Sequence, residues 1–126
     1  MALGVEHGLV LTMDRSNRFI ENGRVIIEGR DIVAVEQCTA EPAPNVDEVI
    51  DATGKIVLPG LVNAHTHLCM VFGRTIGPER RLLEWLDLLM PIMAEMDEEA
   101  LYVAELLGCV ENLKNGNTSL VENIFM

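Results

Sequence analysis

The chain has 126 residues, of which 49% are hydrophobic and 23% charged, a composition typical of one globular domain rather than of a disordered chain. Its formal net charge of −11 argues against binding to nucleic acid or to an anionic membrane surface, because both need clustered positive charge. No apolar run reaches the roughly 20 residues that span a bilayer, and acidic Glu6 lies where a signal peptide would be basic. We therefore expect a cytoplasmic protein that binds small molecules or other proteins and contacts no membrane.

The three cysteines, Cys38, Cys69 and Cys109, are odd in number and widely spaced. They form neither a C-x-x-C metal pair nor a disulfide framework. Because their neighbours in the sequence are apolar, we expect buried, reduced thiols.

The amino-terminal part of the chain is predicted to be β structure. Its short segments rich in Val, Ile and Leu are separated by turn residues, as in a small antiparallel meander. The dipeptide Asn22-Gly23 and the sequence EGRD at residues 28–31 predict the tight turns. A loop containing Pro42 and Pro44 then separates the meander from two further strands. The predicted strands are residues 8–13, 24–28, 32–36, 48–51 and 56–58.

After Pro59-Gly60 the pattern changes to a short apolar strand at residues 61–64, followed by two helices. The first helix is predicted from apolar residues at positions i, i+3, i+4 and i+7, with Pro91 breaking or kinking it near its end. These apolar residues are Leu82, Trp85, Leu86 and Leu89.

The second helix is predicted to begin after the N-cap Asp97 and to end at Asn115-Gly116. Residues 118–125 are expected to form a last strand, which pairs in parallel with the strand at residues 61–64 in a β–α–β unit. A parallel pair is normally covered on both faces by further elements, which this sequence does not contain. The second helix carries one apolar stripe, made of Val103, Leu106, Leu107, Val110 and Leu113.

His65 and His67 are two of the three histidines and lie at the end of the strand predicted after Gly60. Residues two apart in a strand point to the same face, so both imidazoles can reach one metal ion while Thr66 faces away. Neutral imidazole suits Zn, Fe, Ni or Co. An H-x-H pair alone is weak evidence, and satisfied surface or core histidines are the alternative. The position favours a metal role, because strands of β/α units carry catalytic side chains at their carboxyl ends.

The segment at residues 51–68, DATGKIVLPGLVNAHTHL, resembles the opening signature of the metal-dependent amidohydrolase superfamily. The continuation is similar to its aminohydrolase branch, which holds S-adenosylhomocysteine and methylthioadenosine deaminases, guanine deaminase and triazine chlorohydrolases. The similar motifs are GR at residues 73–74, LEWL at 83–86 and NGNT at 115–118. The resemblance covers almost the whole chain.

The fold that this resemblance implies is α/β, with part of a β-sandwich followed by the start of a distorted TIM (β/α)8 barrel. Residues 1–57 would belong to the sandwich and residues 58–126 to the barrel. Residues 61–67 would form barrel strand one, and residues 118–125 strand two. A complete barrel needs roughly 200 residues or more, so we expect this chain to hold only the amino-terminal portion of the architecture.

The resemblance also implies a site. His65 and His67 would be ligands of one catalytic divalent metal ion, zinc or iron. The family's third histidine ligand, its aspartate ligand and its proton-transferring Glu and His lie on later strands, so no catalytic acid or base is assigned. Superfamily members with two metals usually carry Asp two residues before the first histidine, and Asn63 at this position favours a mononuclear deaminase.

Substrate contacts are expected from the LEWL motif. In nucleoside-deaminating relatives an acidic residue in the position of Glu84 reaches the ribose hydroxyls, for which a carboxylate is a bidentate acceptor. Trp85 is the expected pocket wall. A solvated helix face for Glu84 and core packing for Trp85 are the alternatives.

The leading hypothesis is hydrolytic deamination of a purine nucleoside, a purine base or a related N-heterocycle by a metal-dependent hydrolase. We expect the chain to be inactive until the missing barrel portion or a homo-oligomer partner completes the site. An amide-bond hydrolase of the same superfamily is one alternative. A noncatalytic assembly or binding module that dimerises through an exposed sheet edge is the other.

Overall fold

The computed structural model describes residues 1–39, 41, 43 and 45–123. Its contacts divide the chain after Pro59 into two compact units, Met1–Pro59 and Gly60–Met126. Each unit has its own sheet and the second also holds the helices, so the chain is mixed α/β. Pro42 and Pro44 of the predicted loop lie outside the described residues.

The first unit has five strands, β1 (Ala2–Leu11), β2 (Phe19–Glu28), β3 (Asp31–Gln37), β4 (Glu48–Asp51) and β5 (Ile56–Val57). They form one sheet in the order β3-β2-β1-β4, with β5 also pairing with β1. The first three strands are antiparallel, which confirms the predicted meander, whereas β4 and β5 run parallel to β1. The turn predicted at residues 28–31 joins β2 to β3, with Gly29 at a φ of +62°. Buried apolar side chains of this unit include Val10, Val25, Ile26 and Ala52.

The prediction of a turn at Asn22-Gly23 is wrong. Both residues lie inside β2, where Asn22 has a φ of 46° and the pairing with β1 shifts its register. An Asn-Gly pair favours left-handed backbone, and here a bulge uses that preference instead of a turn. The chain reverses at residues 12–18, where Asp14 Oδ1 accepts a hydrogen bond from Ser16 N at 2.9 Å.

In the second unit β6 (Leu61–Thr66) pairs in parallel with β7 (Asn117–Glu122), which confirms the predicted β–α–β unit. Between these strands lie a 3-10 helix (Leu68–Gly73), α1 (Leu82–Ala94) and α2 (Glu98–Lys114). The chain enters β6 close to β7, since a Cβ on Gly60 would overlap the side chain of Thr118. Ile124 and Phe125, at the end of the predicted last strand, lie outside the described residues.

The two helices largely follow their predicted limits. At the start of α2, Asp97 Oδ1 accepts from Ala100 N at 2.8 Å, and Gly116 follows the end of the helix with a φ of +83°. Pro91 lies inside α1, which continues to Ala94, so the predicted break is wrong, whereas the alternative of a kink stays a prediction. Within the described residues, no helix is both long and apolar enough to cross a membrane.

The packed face of α2 is made of small residues. Ala104 and Gly108 are buried, and a Cβ on Gly108 would come within 2.8 Å of Leu68 Cδ2 in the 3-10 helix. Close approach of these two helical segments therefore fixes the residue that follows His67. The apolar stripe of α2 is between 42% and 64% exposed, at Val103, Leu106, Leu107, Val110 and Leu113.

Candidate functional site

The histidines of the H-x-H motif lie side by side at the carboxyl end of β6. His65 is on the strand and exposed, whereas His67 follows the strand, is half-buried and occupies the N-cap position of the 3-10 helix. Their ring centres are 4.9 Å apart and the ring planes are nearly perpendicular, at 89°. The two imidazoles are therefore neighbours at one end of the parallel strand pair.

The backbone of Asn123 determines the tautomer of His67. The Nδ1–H of His67 donates to the carbonyl oxygen of Asn123 at 2.5 Å. A neutral ring that donates from Nδ1 has its lone pair on Nε2. With Nδ1 donating to a carbonyl or carboxylate, this is the tautomer in which a histidine ligates a metal through Nε2.

The side chain of Asn123 contacts the other ring. Asn123 Nδ2 donates to His65 Nδ1 at 3.2 Å. The backbone N of Asn123 donates to Thr66 O at 2.9 Å, so the residue continues the pairing of β7 with β6. One residue thus contacts both histidines, and sequence reasoning missed it. The signal that could have found it is its place directly after the second strand of a parallel pair.

The spacing of the two rings fits a shared metal ion. With metal–nitrogen distances near 2.0–2.1 Å, two imidazoles at a tetrahedral angle around one ion have ring centres about 5 Å apart, and the observed separation is 4.9 Å. Two imidazoles leave the rest of the coordination shell to other groups. Within residues 1–39, 41, 43 and 45–123, no group of three or more His, Cys, Asp or Glu side chains could hold an ion. Among the described residues, the two histidines could therefore supply at most part of the coordination shell of an ion.

Glu122, the last residue of β7, fixes the start of the 3-10 helix. Its Oε2 accepts from Leu68 N at 2.9 Å, one residue after His67. Its Oε1 is buried and has no hydrogen-bond partner in the part of the chain that the structure describes. The contact depends on the parallel register that sets Thr66 opposite Glu122, which the sequence pattern does not reveal.

Cys69 is a poor candidate for a nucleophile or a metal ligand. Burial raises the pKa of its thiol, and the negative charges of Glu122 and Glu105 raise it further. Since the thiolate is the reactive and ligating form, a protonated thiol does neither job. All three cysteines are free thiols. Cys69 is buried, as predicted, whereas Cys38 and Cys109 are half-buried.

Asn63, two residues before His65, contacts other amides. Its Nδ2 donates to Asn112 Oδ1 at 3.0 Å, and its Oδ1 accepts from His65 N at 3.3 Å. Asn112 Oδ1 also accepts from Asn117 Nδ2 at 3.2 Å. This chain of amides ties β6, α2 and β7 together beside the histidines. The position uses Asn as donor and acceptor at once, which an aspartate could not do.

Glu84 and Trp85 lie in the first turn of α1. Glu84 is exposed and Trp85 is half-buried. The helix is anchored at Leu89, which is fully buried and lies against Gly73 at the end of the 3-10 helix. No hydrogen bond joins Glu84 or Trp85 to His65 among the residues that the structure describes. Their predicted contact with substrate stays a prediction.

Comparison with known proteins identifies the family. Residues 56–125, which contain both histidines, match the family described as the amidohydrolase family, and they make up more than half of the chain. The chain belongs to this family. The mixed α/β fold of the chain agrees with that of its structural neighbours in the same family.

Relatives of this family member include deaminases of adenosine derivatives. The chain is 38% identical over 122 residues to a 5'-deoxyadenosine deaminase of Methanosarcina acetivorans, covering 96% of this chain and 28% of that protein. It is 40% identical over 111 residues to a 5-methylthioadenosine/S-adenosylhomocysteine deaminase of Bacillus cereus, covering 87% and 26%. The chain thus spans little more than a quarter of the length of these relatives.

Solved structures of zinc-containing enzymes share the fold. An adenosine deaminase from Xanthomonas campestris with bound zinc matches with a TM-score of 0.86 and 29% identity, over 98% of this chain and 29% of that chain. An atrazine chlorohydrolase from Arthrobacter aurescens complexed with zinc matches with a TM-score of 0.84 and 26% identity, over 95% and 28%.

Proposed function

We propose that this amidohydrolase carries two ligands of the metal site of an aminohydrolase that hydrolytically deaminates a purine nucleoside, a purine base or a related N-heterocycle. The observation that carries this proposal is the convergence of His65 and His67 at the carboxyl end of β6, with His67 held in the metal-ligating tautomer by the Asn123 carbonyl. Membership of the family and deaminase relatives at 38% and 40% identity support it.

The proposed architecture has residues 1–57 in a β-sandwich and residues 58–126 at the start of a TIM barrel. The parallel pairing of β6 and β7 across two helices supports the barrel assignment, because each strand of such a barrel is joined to the next through a helical crossover. On this assignment β6 is barrel strand one and β7 is strand two.

We assign one divalent ion to His65 and His67, with zinc preferred and iron as the alternative. Two solved relatives contain zinc, which supports this choice. A divalent ion held there supplies the Lewis acidity that makes water nucleophilic at neutral pH. Asn63 in place of an aspartate supports a single ion, since its amide is engaged by Asn112 and by His65 N.

Substrate binding is assigned to the first turn of α1. Glu84 is exposed, as a group that accepts hydrogen bonds from two ribose hydroxyls must be. Trp85 is half-buried, so part of its side chain remains accessible to serve as an apolar wall for a heterocyclic ring. The deaminases of adenosine derivatives among the relatives support a nucleoside substrate.

The chain alone is expected to be inactive, because the described residues offer two metal ligands and no third. The test measures ammonia release from 5'-deoxyadenosine, adenosine and guanine by the chain alone and with a barrel segment from a relative supplied in trans. We expect release only with the added segment, and none when His65→Ala and His67→Ala are combined.

The matched control for this assay is His7→Asn, which removes the third histidine while Asn tolerates the φ of 67° at that position. It should leave the complemented activity unchanged. Ring opening without ammonia release would instead identify an amide-bond hydrolase. Equal activity of the double histidine variant would refute the site.

A further inference from the structure

We propose that the side-chain amide of Asn123 is a positioning group that determines which nitrogen of His65 is available to a metal ion. This inference rests on the proposed function, since it assumes that His65 is a ligand. It concerns a residue that the H-x-H motif does not include and that contacts both rings.

The backbone of Asn123 is fixed from two sides. Its N–H donates to Thr66 O at 2.9 Å, and its carbonyl accepts from His67 Nδ1 at 2.5 Å. The side chain therefore starts from a fixed point and extends to His65. Backbone anchoring of this kind lowers the entropy that the side chain loses when it holds an imidazole.

The structure places Asn123 Nδ2 3.2 Å from His65 Nδ1. In this orientation of the amide Nδ2 is the donor, so a neutral His65 accepts at Nδ1 and carries its proton on Nε2. His67 has the reverse arrangement, with its proton on Nδ1. An ion that binds both rings through Nε2 therefore needs His65 to change tautomer.

A half-turn of the Asn123 amide makes this change possible. Its Oδ1 would then accept from the Nδ1–H of His65, which leaves the lone pair on Nε2. The turn gives up the long contact from Asn123 Nδ2 to Val121 O, at 3.4 Å, and brings Oδ1 toward that carbonyl instead. The amide thus stabilises the metal-free tautomer in one orientation and the ligating tautomer in the other.

Two substitutions at this residue should change zinc affinity in opposite directions. Asn123→Asp offers only acceptor oxygens, so it should keep the proton of His65 on Nδ1 and tighten zinc binding. Asn123→Ala removes the partner and should weaken it. Groups that orient metal-ligating histidines typically change metal affinity by about 10–100-fold, and we expect roughly tenfold in each direction here. A purely structural role would make both variants weaker.

The experiment titrates the full chain with zinc against a chromogenic chelator, with every variant at the same mildly alkaline pH. Nitrogen–proton long-range NMR spectra of the zinc-free rings report the tautomers separately. The matched control is Ser119→Asp, which adds the same charge at an exposed site of β7, the strand that Asn123 follows. We expect Asn123→Asp to move the His65 proton to Nδ1. Ser119→Asp should leave the tautomers of His65 and His67 and the zinc affinity as they are in the wild type.

The outcomes separate this inference from the proposed function. If His65→Ala weakens zinc binding while both Asn123 variants bind like the wild type, the positioning role is overturned and the metal site stands. If His65→Ala binds zinc as the wild type does, the metal site is overturned and the inference with it. If Asn123→Asp tightens binding no more than Ser119→Asp does, added charge explains the gain and the positioning role is overturned.

Discussion

At the scale of single residues, the first unit has a buried ion pair at its centre. Arg24 is 4% exposed and Glu6 is 7% exposed, with Arg24 Nη1 and Glu6 Oε1 3.6 Å apart. Arg24 Nε and Nη2 also donate to Oε1 of the half-exposed Glu36, at 3.1 and 2.7 Å. Glu6 Oε1 has no hydrogen bond in the described residues, so the Arg24 charge is what compensates it.

Removing the positive charge of Arg24 should destabilise the folded protein. Arg24→Met leaves Glu6 buried without its counter-charge. We expect it to lower the free energy of unfolding by about 3 kcal/mol, the low end for breaking a buried ion pair. Urea unfolding measures the change. Glu36→Gln, which alters the exposed partner, should cost clearly less. If the two substitutions lowered stability equally, the claim that buried Glu6 depends on the Arg24 charge would be contradicted.

The types of residue on its buried face also explain why the first part of β1 was not predicted from the sequence. The predicted strand began at Gly8, but β1 begins at Ala2. Its buried face consists of Ala2, Gly4, Glu6, Gly8 and Val10. Two glycines and a carboxylate do not form a recognisable apolar face, and only the Arg24 partner from β2 makes Glu6 suitable there. Such a long-range partner cannot be inferred from local pattern.

At the scale of elements, an exposed ion pair joins the end of the 3-10 helix region to α2. Arg74 Nη1 and Nη2 donate to the two carboxylate oxygens of Glu111, at 2.9 and 2.8 Å. The hydrogen bonds from Arg74 hold the pKa of Glu111 below its ordinary value. The sequence motif contained Arg74, but its partner lies 37 residues later and could not be predicted from spacing.

This pair gives the second unit an acid-dependent contribution to stability. Because the folded pKa of Glu111 is lowered, the contribution is present above the unfolded pKa and is lost as pH falls through the folded value. We expect wild-type stability to fall more steeply on acidification than that of Arg74→Met or Glu111→Gln. Urea unfolding across the carboxylate titration range measures this. Parallel pH profiles for the three proteins would contradict it.

Strands and helices with a clear period were predicted well, whereas features that depend on neighbours were not. The limits of β4 and of α2 agree with the sequence pattern, since apolar runs and the Asp97 cap define them locally. The Asn22-Gly23 turn was wrong, because the same backbone preference serves a bulge opposite β1. Likewise the histidine pair was visible in the sequence, but the Glu122 and Asn123 contacts depend on the register of β7.

At the scale of the whole molecule, many large apolar side chains are exposed in both units. Phe19 is 74% exposed in the first unit and Leu83 is 73% exposed in the second. In the proposed architecture such surface is covered by the other strands and helices of a barrel and sandwich, since parallel strand pairs are normally buried on both faces. The relatives, of which this chain covers little more than a quarter, are long enough to supply them.

In the proposed site, His65 and His67 together bind one catalytic divalent ion. Zinc content after equilibrium dialysis of the full chain tests it most directly, with melting curves to confirm that each variant folds. We predict bound zinc in the wild type and in the control His7→Asn, and its loss when His65→Ala and His67→Ala are combined. Equal zinc content in the wild type and the folded double variant would contradict the claim.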